Sequence, residues 1–307
     1  MFVPMTYRIG TMIVVGSLLL GACGAGGTSR GRAGQRLQVV AAENFWGSIT
    51  AQLAGTRADV TSIISNPATD PHDYEATPDD ARAVASADYV IVNGIGYDTW
   101  AQKLLDANPS SGRAVLNVGK LAGVQVGANP HQWYSPSVVA RFVARVASDL
   151  ARLDPGNAHY FAQRRDAYEK TGLAEYTGLI AQIRRQYAGT PIGGSESIVT
   201  PLVSALGLTL KTPESFLDAV SEGNEPTARD TAIVNQQIAQ RAIKVFIFNR
   251  QNATPDVKRL VDAARARGIP VTTVTETLVP AGATFQAWQS GELRGLRDAL
   301  ARAGTSS

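Results

Sequence analysis

The sequence predicts an α/β protein of two lobes, each a mainly parallel sheet with flanking helices, joined by one long linking helix. Three observations carry this. From Leu37 onward short β-branched runs alternate with helical patterns, a helical stretch of about thirty residues interrupts them, and the alternation then resumes at similar size. Strand–helix alternation implies parallel sheets covered on both faces.

Residues 1–22 have one positive charge at Arg8, an apolar run over 11–20, and Leu20-Gly21-Ala22 before Cys23. Ten apolar-rich residues are too few to span a bilayer of ~30 Å, so the segment reads as a secretory signal. Its end resembles a bacterial lipobox, which makes Cys23 the expected lipidation site and new N-terminus; an ordinary signal with an incidental cysteine is the other reading. Residues 23–36 are Gly-rich without apolar periodicity and read as a tether of ~20 Å r.m.s. span. The expected location is extracytoplasmic, at the surface of a bacterial cell membrane.

The first lobe is expected over 37–155. Residues 37–42, 60–64, 89–93 and 114–118 read as buried strands, and 45–54, 78–87, 98–107 and 137–153 as helices. Thr77 is the expected N-cap of the second helix, with Pro78 in its first position and Asp79 and Asp80 where the helix dipole favours negative charge. Asp154-Pro155-Gly156 ends the fourth helix. The linking segment, 156–188, holds a helical pattern over 157–187. At 1.5 Å per residue it would run for roughly 45 Å, with bends expected at Gly172 and Gly178. The second lobe, 189–307, is expected to contain strands at 191–194, 209–211, 242–248 and 270–274, and helices at 201–206, 227–241, 254–267 and 285–301.

Composition excludes several classes. The 307 residues are 44% hydrophobic and 18% charged, which is neither disordered nor collagen-like. A net charge of +3, without a basic stripe interleaved with aromatics, gives no reason to expect nucleic acid. One cysteine excludes a disulfide scaffold and a multi-cysteine zinc site. With only three histidines, a histidine-based metal site must use nearly all of them.

Two of them stand in matched contexts. His72 lies in Asp70-Pro-His-Asp-Tyr-Glu75, just past an expected strand, and His131 lies in Asn129-Pro-His-Gln-Trp-Tyr134. Either alone reads as a hydrogen-bonded loop histidine; the repeated Pro-His pair favours ligands. Glu196, after the first strand of the second lobe, and Glu276, after its last strand, are candidate carboxylate donors or solvated loop glutamates. His159, at the start of the linking helix, reads as solvated. Two neutral imidazoles and two carboxylates supply −2, which cancels a divalent cation. Imidazole suits zinc and iron while carboxylate moves preference towards manganese.

The stretch from Asp70-Pro-His-Asp-Tyr-Glu75 through Thr77-Pro-Asp-Asp80 and Ala87-Asp-Tyr-Val-Ile-Val-Asn-Gly94 resembles the cluster A-I, or TroA-like, zinc/manganese solute-binding lipoproteins of ABC importers. Asn129-Pro-His-Gln-Trp-Tyr-Ser-Pro136, Leu153-Asp-Pro-Gly-Asn157, Gly268-Ile-Pro-Val271 and Thr275-Glu-Thr-Leu278 are similar to later segments of that family, so the likeness covers 37–301. The resemblance implies four protein ligands, two per lobe, which fall on His72, His131, Glu196 and Glu276. Members assigned to zinc often have histidine at the third position, where Glu196 stands. Glu276 stands where aspartate is common. No His-rich loop follows His72.

The expected function is a non-enzymatic, lipid-anchored, monomeric receptor that passes zinc or manganese, with iron also possible, to an ABC permease and its ATPase. A metal-dependent hydrolase using the same donors, with Glu75 or Glu43 as base, is the alternative from another class; no H-E-x-x-H motif supports it. A surface adhesin is a third reading, carried by the resemblance alone.

Overall fold

Among the described residues, eight strands form two separate four-stranded parallel sheets of identical order, β2-β1-β3-β4 and β6-β5-β7-β8. The computed structural model describes residues 1, 2, 4, 35–69 and 74–305. The signal segment, most of the tether with Cys23, and His72 therefore lie outside the described residues. Residues 36–307 form one unit, separate from residues 1–35. Among the described residues no helix is long and apolar enough to cross a membrane.

In the first lobe β1 (Leu37–Glu43), α1 (Asn44–Ala54), β2 (Ala58–Ile64), α2 (Pro78–Ser86), β3 (Tyr89–Val92), α3 (Thr99–Ala107) and β4 (Ala114–Asn117) follow the expected alternation. Two short additions, α4 (Val118–Ala122) and a 3₁₀ turn at Gln132–Tyr134, precede α5 (Pro136–Leu153). All four residues of β3 are buried, as a parallel strand covered on both faces requires. Thr77 caps α2 as expected: its side chain accepts from Asp80 N, and Asp80 returns a bond to Thr77 N at 2.7 Å. On α5 the buried positions Val139, Phe142, Val143, Val146 and Leu150 recur at three- and four-residue spacing. Phe142 packs against Trp46 of α1 with ring centroids 4.4 Å apart.

The linking segment differs in one respect from a single helix. It comprises α6 (Ala158–Ala167), a π-helical turn at Tyr168–Gly172, and α7 (Ala174–Tyr187). The wider turn is marked by Leu173 N donating to Tyr168 O at 2.8 Å. Gly172 is required by close approach, since a Cβ there would meet Tyr168 Cδ2 at 2.9 Å; Gly178 has open space around it. The interruption turns the Tyr168 hydroxyl towards Gln286 Oε1, 3.3 Å away on the last helix.

The second lobe holds β5 (Pro191–Gly194), α8 (Thr200–Leu206), β6 (Thr209–Leu210), α9 (Glu214–Ser221), α10 (Ala228–Ala239), β7 (Val245–Asn249), α11 (Pro255–Ala266), β8 (Val271–Val274) and α12 (Phe285–Thr305). α9 is the element that sequence periodicity did not separate from the loop around it.

One hydrophobic core runs through both lobes. It joins Ala41 and Ile91 of the first sheet to Ile192 and Ile247 of the second by way of Phe161, Tyr176 and Ile183 on the linking helices. A shared core makes the lobes one cooperative unit. Phe161→Ala is therefore expected to cost about 3–5 kcal/mol and to shift a single urea transition, followed by circular dichroism, without splitting it in two.

Candidate metal centre

In open parallel sheets the crevice lies beyond the carboxyl ends of the strands, where the strand order reverses. Here the reversal falls between β1 and β3 in one lobe and between β5 and β7 in the other. Glu196 follows β5, Asn249 ends β7, and Glu276 follows β8. From the first lobe the loop after β3 brings Tyr97, and the segment before α5 brings His131. Contacts cross between these ends: Tyr97 Oη donates to Glu276 Oε2 at 3.0 Å, and Asn129 Nδ2 donates to Ser197 O at 2.7 Å.

The two carboxylates share one supporting amide. Asn249 Nδ2 donates to Glu196 Oε1 at 2.6 Å and to Glu276 Oε1 at 3.1 Å, so both of its protons are used. Asn252 Nδ2 holds the other oxygen of Glu196 at 2.7 Å. Glu196 is 1% and Glu276 7% exposed. The donors from Asn249, Asn252 and Tyr97 are amides and a phenol, which orient the two carboxyl groups. In a buried cleft that arrangement favours a cation strongly.

The tautomer of His131 follows from its neighbour. Asn129 gives its Nδ2 proton to the Ser197 carbonyl, which can only accept, and this fixes the amide orientation. Asn129 Oδ1 then accepts from His131 N at 3.0 Å and lies 2.9 Å from His131 Nδ1. Nδ1 carries the proton, and Nε2 keeps the lone pair that a metal needs. His131 is 1% exposed, with its ring edge-on to Trp133 at a centroid distance of 5.1 Å.

The loop bearing Tyr97 is held under strain. Gly94, Ile95 and Gly96 all have positive φ, and Ile95, at +63°, is a β-branched residue in a region that such side chains avoid. Asp98 imposes the turn by accepting from Asn93 N at 2.6 Å and Gly94 N at 2.8 Å. Beside it Glu43 is fully buried, and burial together with the Asp98 charge raises its carboxyl well above the usual range. Asn93 completes the support, accepting from Trp46 Nε1 at 3.0 Å and donating to Pro130 O, next to His131, at 3.0 Å.

Of the four residues expected as donors, the structure brings His131, Glu196 and Glu276 to one cleft through shared partners. His72 lies outside the described residues. Gln251 Nε2 donates to Pro67 O at 2.5 Å while its Oε1 accepts from Glu276 N at 2.5 Å, and Tyr74 packs edge-on to Trp100. Among the described residues no group of three or more His, Cys, Asp or Glu side chains is by itself placed to hold an ion. His159 is exposed, as expected, and so is Glu75. Sequence reading did not find the roles of Tyr97, Asn129, Asn249 and Asn252; a polar residue ending the buried strand at Asn249 was the available signal. Beside the cleft, a cavity of about 480 Å³ is lined by Tyr97, His131, Ser197, Glu214, Asp218 and Glu222. Burial, and then the neighbouring Glu214 and Glu222, raise the Asp218 carboxyl.

The sequence model of the ZnuA family, described as zinc-uptake complex component A, periplasmic, matches residues 39–299. The manganese-binding lipoprotein MntA of Halalkalibacterium halodurans is 31% identical over 161 residues, 51% of this chain and 53% of the relative. The chain thus spans about half the length of that relative. The metal ABC transporter substrate-binding lipoprotein FimA of Streptococcus parasanguinis is 32% identical over 281 residues, 83% of this chain and 84% of the relative. Among solved structures, a Mn-bound periplasmic metal binding protein from Candidatus Liberibacter asiaticus superposes with a TM-score of 0.70 at 19% identity, covering 87% of this chain and all of the other.

Replacing Asn249 by Leu leaves Glu196 and Glu276 facing each other with fewer donors. Loss of buried hydrogen bonds of this kind costs about 1–3 kcal/mol. The expected result is that much lost stability in urea unfolding of metal-free protein near pH 7.

Proposed function

The chain belongs to the ZnuA family of zinc-uptake complex component A proteins, and from that premise we propose that it is an extracytoplasmic receptor that captures a divalent transition metal and delivers it to an ABC importer. The cargo is held by His131, Glu196 and Glu276 together with His72, two donors from each lobe. The permease and ATPase of the importer are the partners, lipidated Cys23 is the membrane anchor, and the receptor works as a monomer. The observation that carries this reading is the pair of buried carboxylates, both held by Asn249 and further bonded to Asn252 and Tyr97, opposite an imidazole whose Nδ1 is tied to Asn129.

Relatives named for manganese, zinc and iron match this chain, and its own donor set fits that range. Glutamate can bind through one or both oxygens, so the shell can exceed the four donors of a closed zinc site. Carboxylate-rich ligation accommodates manganese, whereas the intrinsic affinity order places zinc above manganese. The shared core and the linking helices restrain the lobes and favour small adjustments over a wide hinge opening.

A hydrolytic role is not supported. Glu43 is fully buried rather than open to a substrate water, and Glu75 is exposed. The family is one of transport receptors rather than enzymes.

The test is metal titration of the purified protein, with zinc and manganese in competition. One ion per chain is expected, and Glu196→Gln or His131→Ala should weaken binding at least tenfold to a hundredfold, as loss of a ligand or its support does. Affinity should also fall as the pH drops through the imidazole range near ~6.5, because protons compete for the histidines. Unchanged binding in both variants would contradict the assignment.

A further inference from the structure

Glu292 lies on α12 and touches both loops that hold the expected ligands. Its Oε2 is 2.6 Å from Tyr134 Oη, three residues beyond His131 in the first lobe. Its Oε1 accepts from Thr275 N at 2.9 Å and lies 3.0 Å from Thr275 Oγ1, immediately before Glu276 in the second. Among the described residues, Glu292 bonds to the His131 segment and to the Glu276 segment through separate carboxyl oxygens.

The proton count around it is informative. Tyr134 Oη also lies 2.8 Å from Thr275 O, and Thr275 Oγ1 lies 3.0 Å from Thr277 O. Two hydroxyl groups thus face four oxygen acceptors at hydrogen-bond distance, yet each has one proton to give. Thr275 Oγ1 also accepts from Trp288 Nε1 at 2.8 Å. If Tyr134 donates to the Thr275 carbonyl, its 2.6 Å contact with Glu292 closes only when Glu292 supplies a proton.

The surroundings favour that state. Burial pushes the Glu292 carboxyl up to about 8, and burial followed by the Glu292 charge raises the Tyr134 phenol. From α8 the neighbours are apolar, among them Leu202, Val203 and Leu206. The charged groups nearby are Glu276, which acts on Tyr134, and Arg250, which lines a cavity of about 440 Å³ together with Glu292.

We propose that Glu292 is a positioning residue which, as a protonated acid, locks the His131 loop to the Glu276 loop and so sets the geometry of the metal centre. When its carboxyl releases the proton to solvent, Tyr134 turns its O–H from the Thr275 carbonyl to the carboxylate. The Thr275 carbonyl then loses its partner, and the peptide that presents Glu276 is freed. The effect on metal binding rests on the receptor reading above; the effect on the metal-free protein does not.

The sign of the pH dependence is fixed. The folded carboxyl titrates above its unfolded value of ~4.3, so its contribution to stability is full below about pH 4 and lost as the pH rises to about 8. Glu292→Gln keeps a neutral hydrogen-bonding group there and removes the titration. Thermal unfolding of metal-free protein should show the wild type losing ground to Glu292→Gln between about pH 5 and 8. Infrared difference spectra near pH 7 should show a protonated carboxyl band in the wild type that the variant lacks. Manganese affinity, measured by chelator competition, should be similar in the two proteins at about pH 7, with the wild type about tenfold weaker relative to the variant one pH unit above 8. Parallel pH profiles in unfolding and binding, or no difference in the carboxyl band, would overturn the proposal. Divergent unfolding profiles with no metal bound by either protein would support the lock and overturn the receptor reading.

Discussion

Two negative side chains held close together in a buried cleft are the constraint around which this structure is organised. Asn249 places its two amide protons on Glu196 and Glu276, so one side chain orients the pair. A buried ionic group is costly unless it is paired, and an arrangement that keeps two such groups together is one built for an opposite charge. The supporting residues follow from this. Each carboxylate oxygen is aimed by an amide or a phenol, and the ring of His131 is aimed by Asn129, whose own orientation is set by a carbonyl of the other lobe.

The fold makes that precision possible. Duplicated strand order puts two switch points opposite each other, and short loops at strand ends carry the polar groups. The linking helices and the core common to both lobes hold the two halves in register. Hydrogen bonds from Asn129, Tyr97, Gln251 and Tyr134 then fasten loop to loop across the cleft. On the proposed receptor reading, these ties leave little freedom for wide opening, and cargo exchange falls to local rearrangement of the loops. The strained turn at Ile95 is one place where such a rearrangement is stored.

The strands and the two-lobed architecture were legible because buried parallel strands produce continuous apolar runs, as in Tyr89–Val92 and Val245–Asn249. The capping box at Thr77 was legible because its chemistry is local. The π-helical turn at Tyr168–Gly172 was not, since the contact that accompanies it is tertiary: Tyr168 Oη reaches Gln286 of α12. The candidate donors could be picked out because histidine is scarce and Glu196 and Glu276 follow strands. Asn249, Tyr97 and Glu292 could not be assigned roles, because an asparagine, a tyrosine and a helical glutamate are ordinary residues until folding sets them against the donors. Glu43 shows the same limit. The sequence offers it as a base, and only the fold shows that it is fully buried beside Asp98, which raises its carboxyl.

The most direct measurement is X-ray absorption spectroscopy of the protein loaded with one equivalent of zinc or manganese. The account requires a shell of imidazole nitrogens and carboxylate oxygens, with the imidazole signal reduced in His131→Ala. A shell made of water alone, or one unchanged by that substitution, would contradict the claim that the cleft between the lobes is the metal centre.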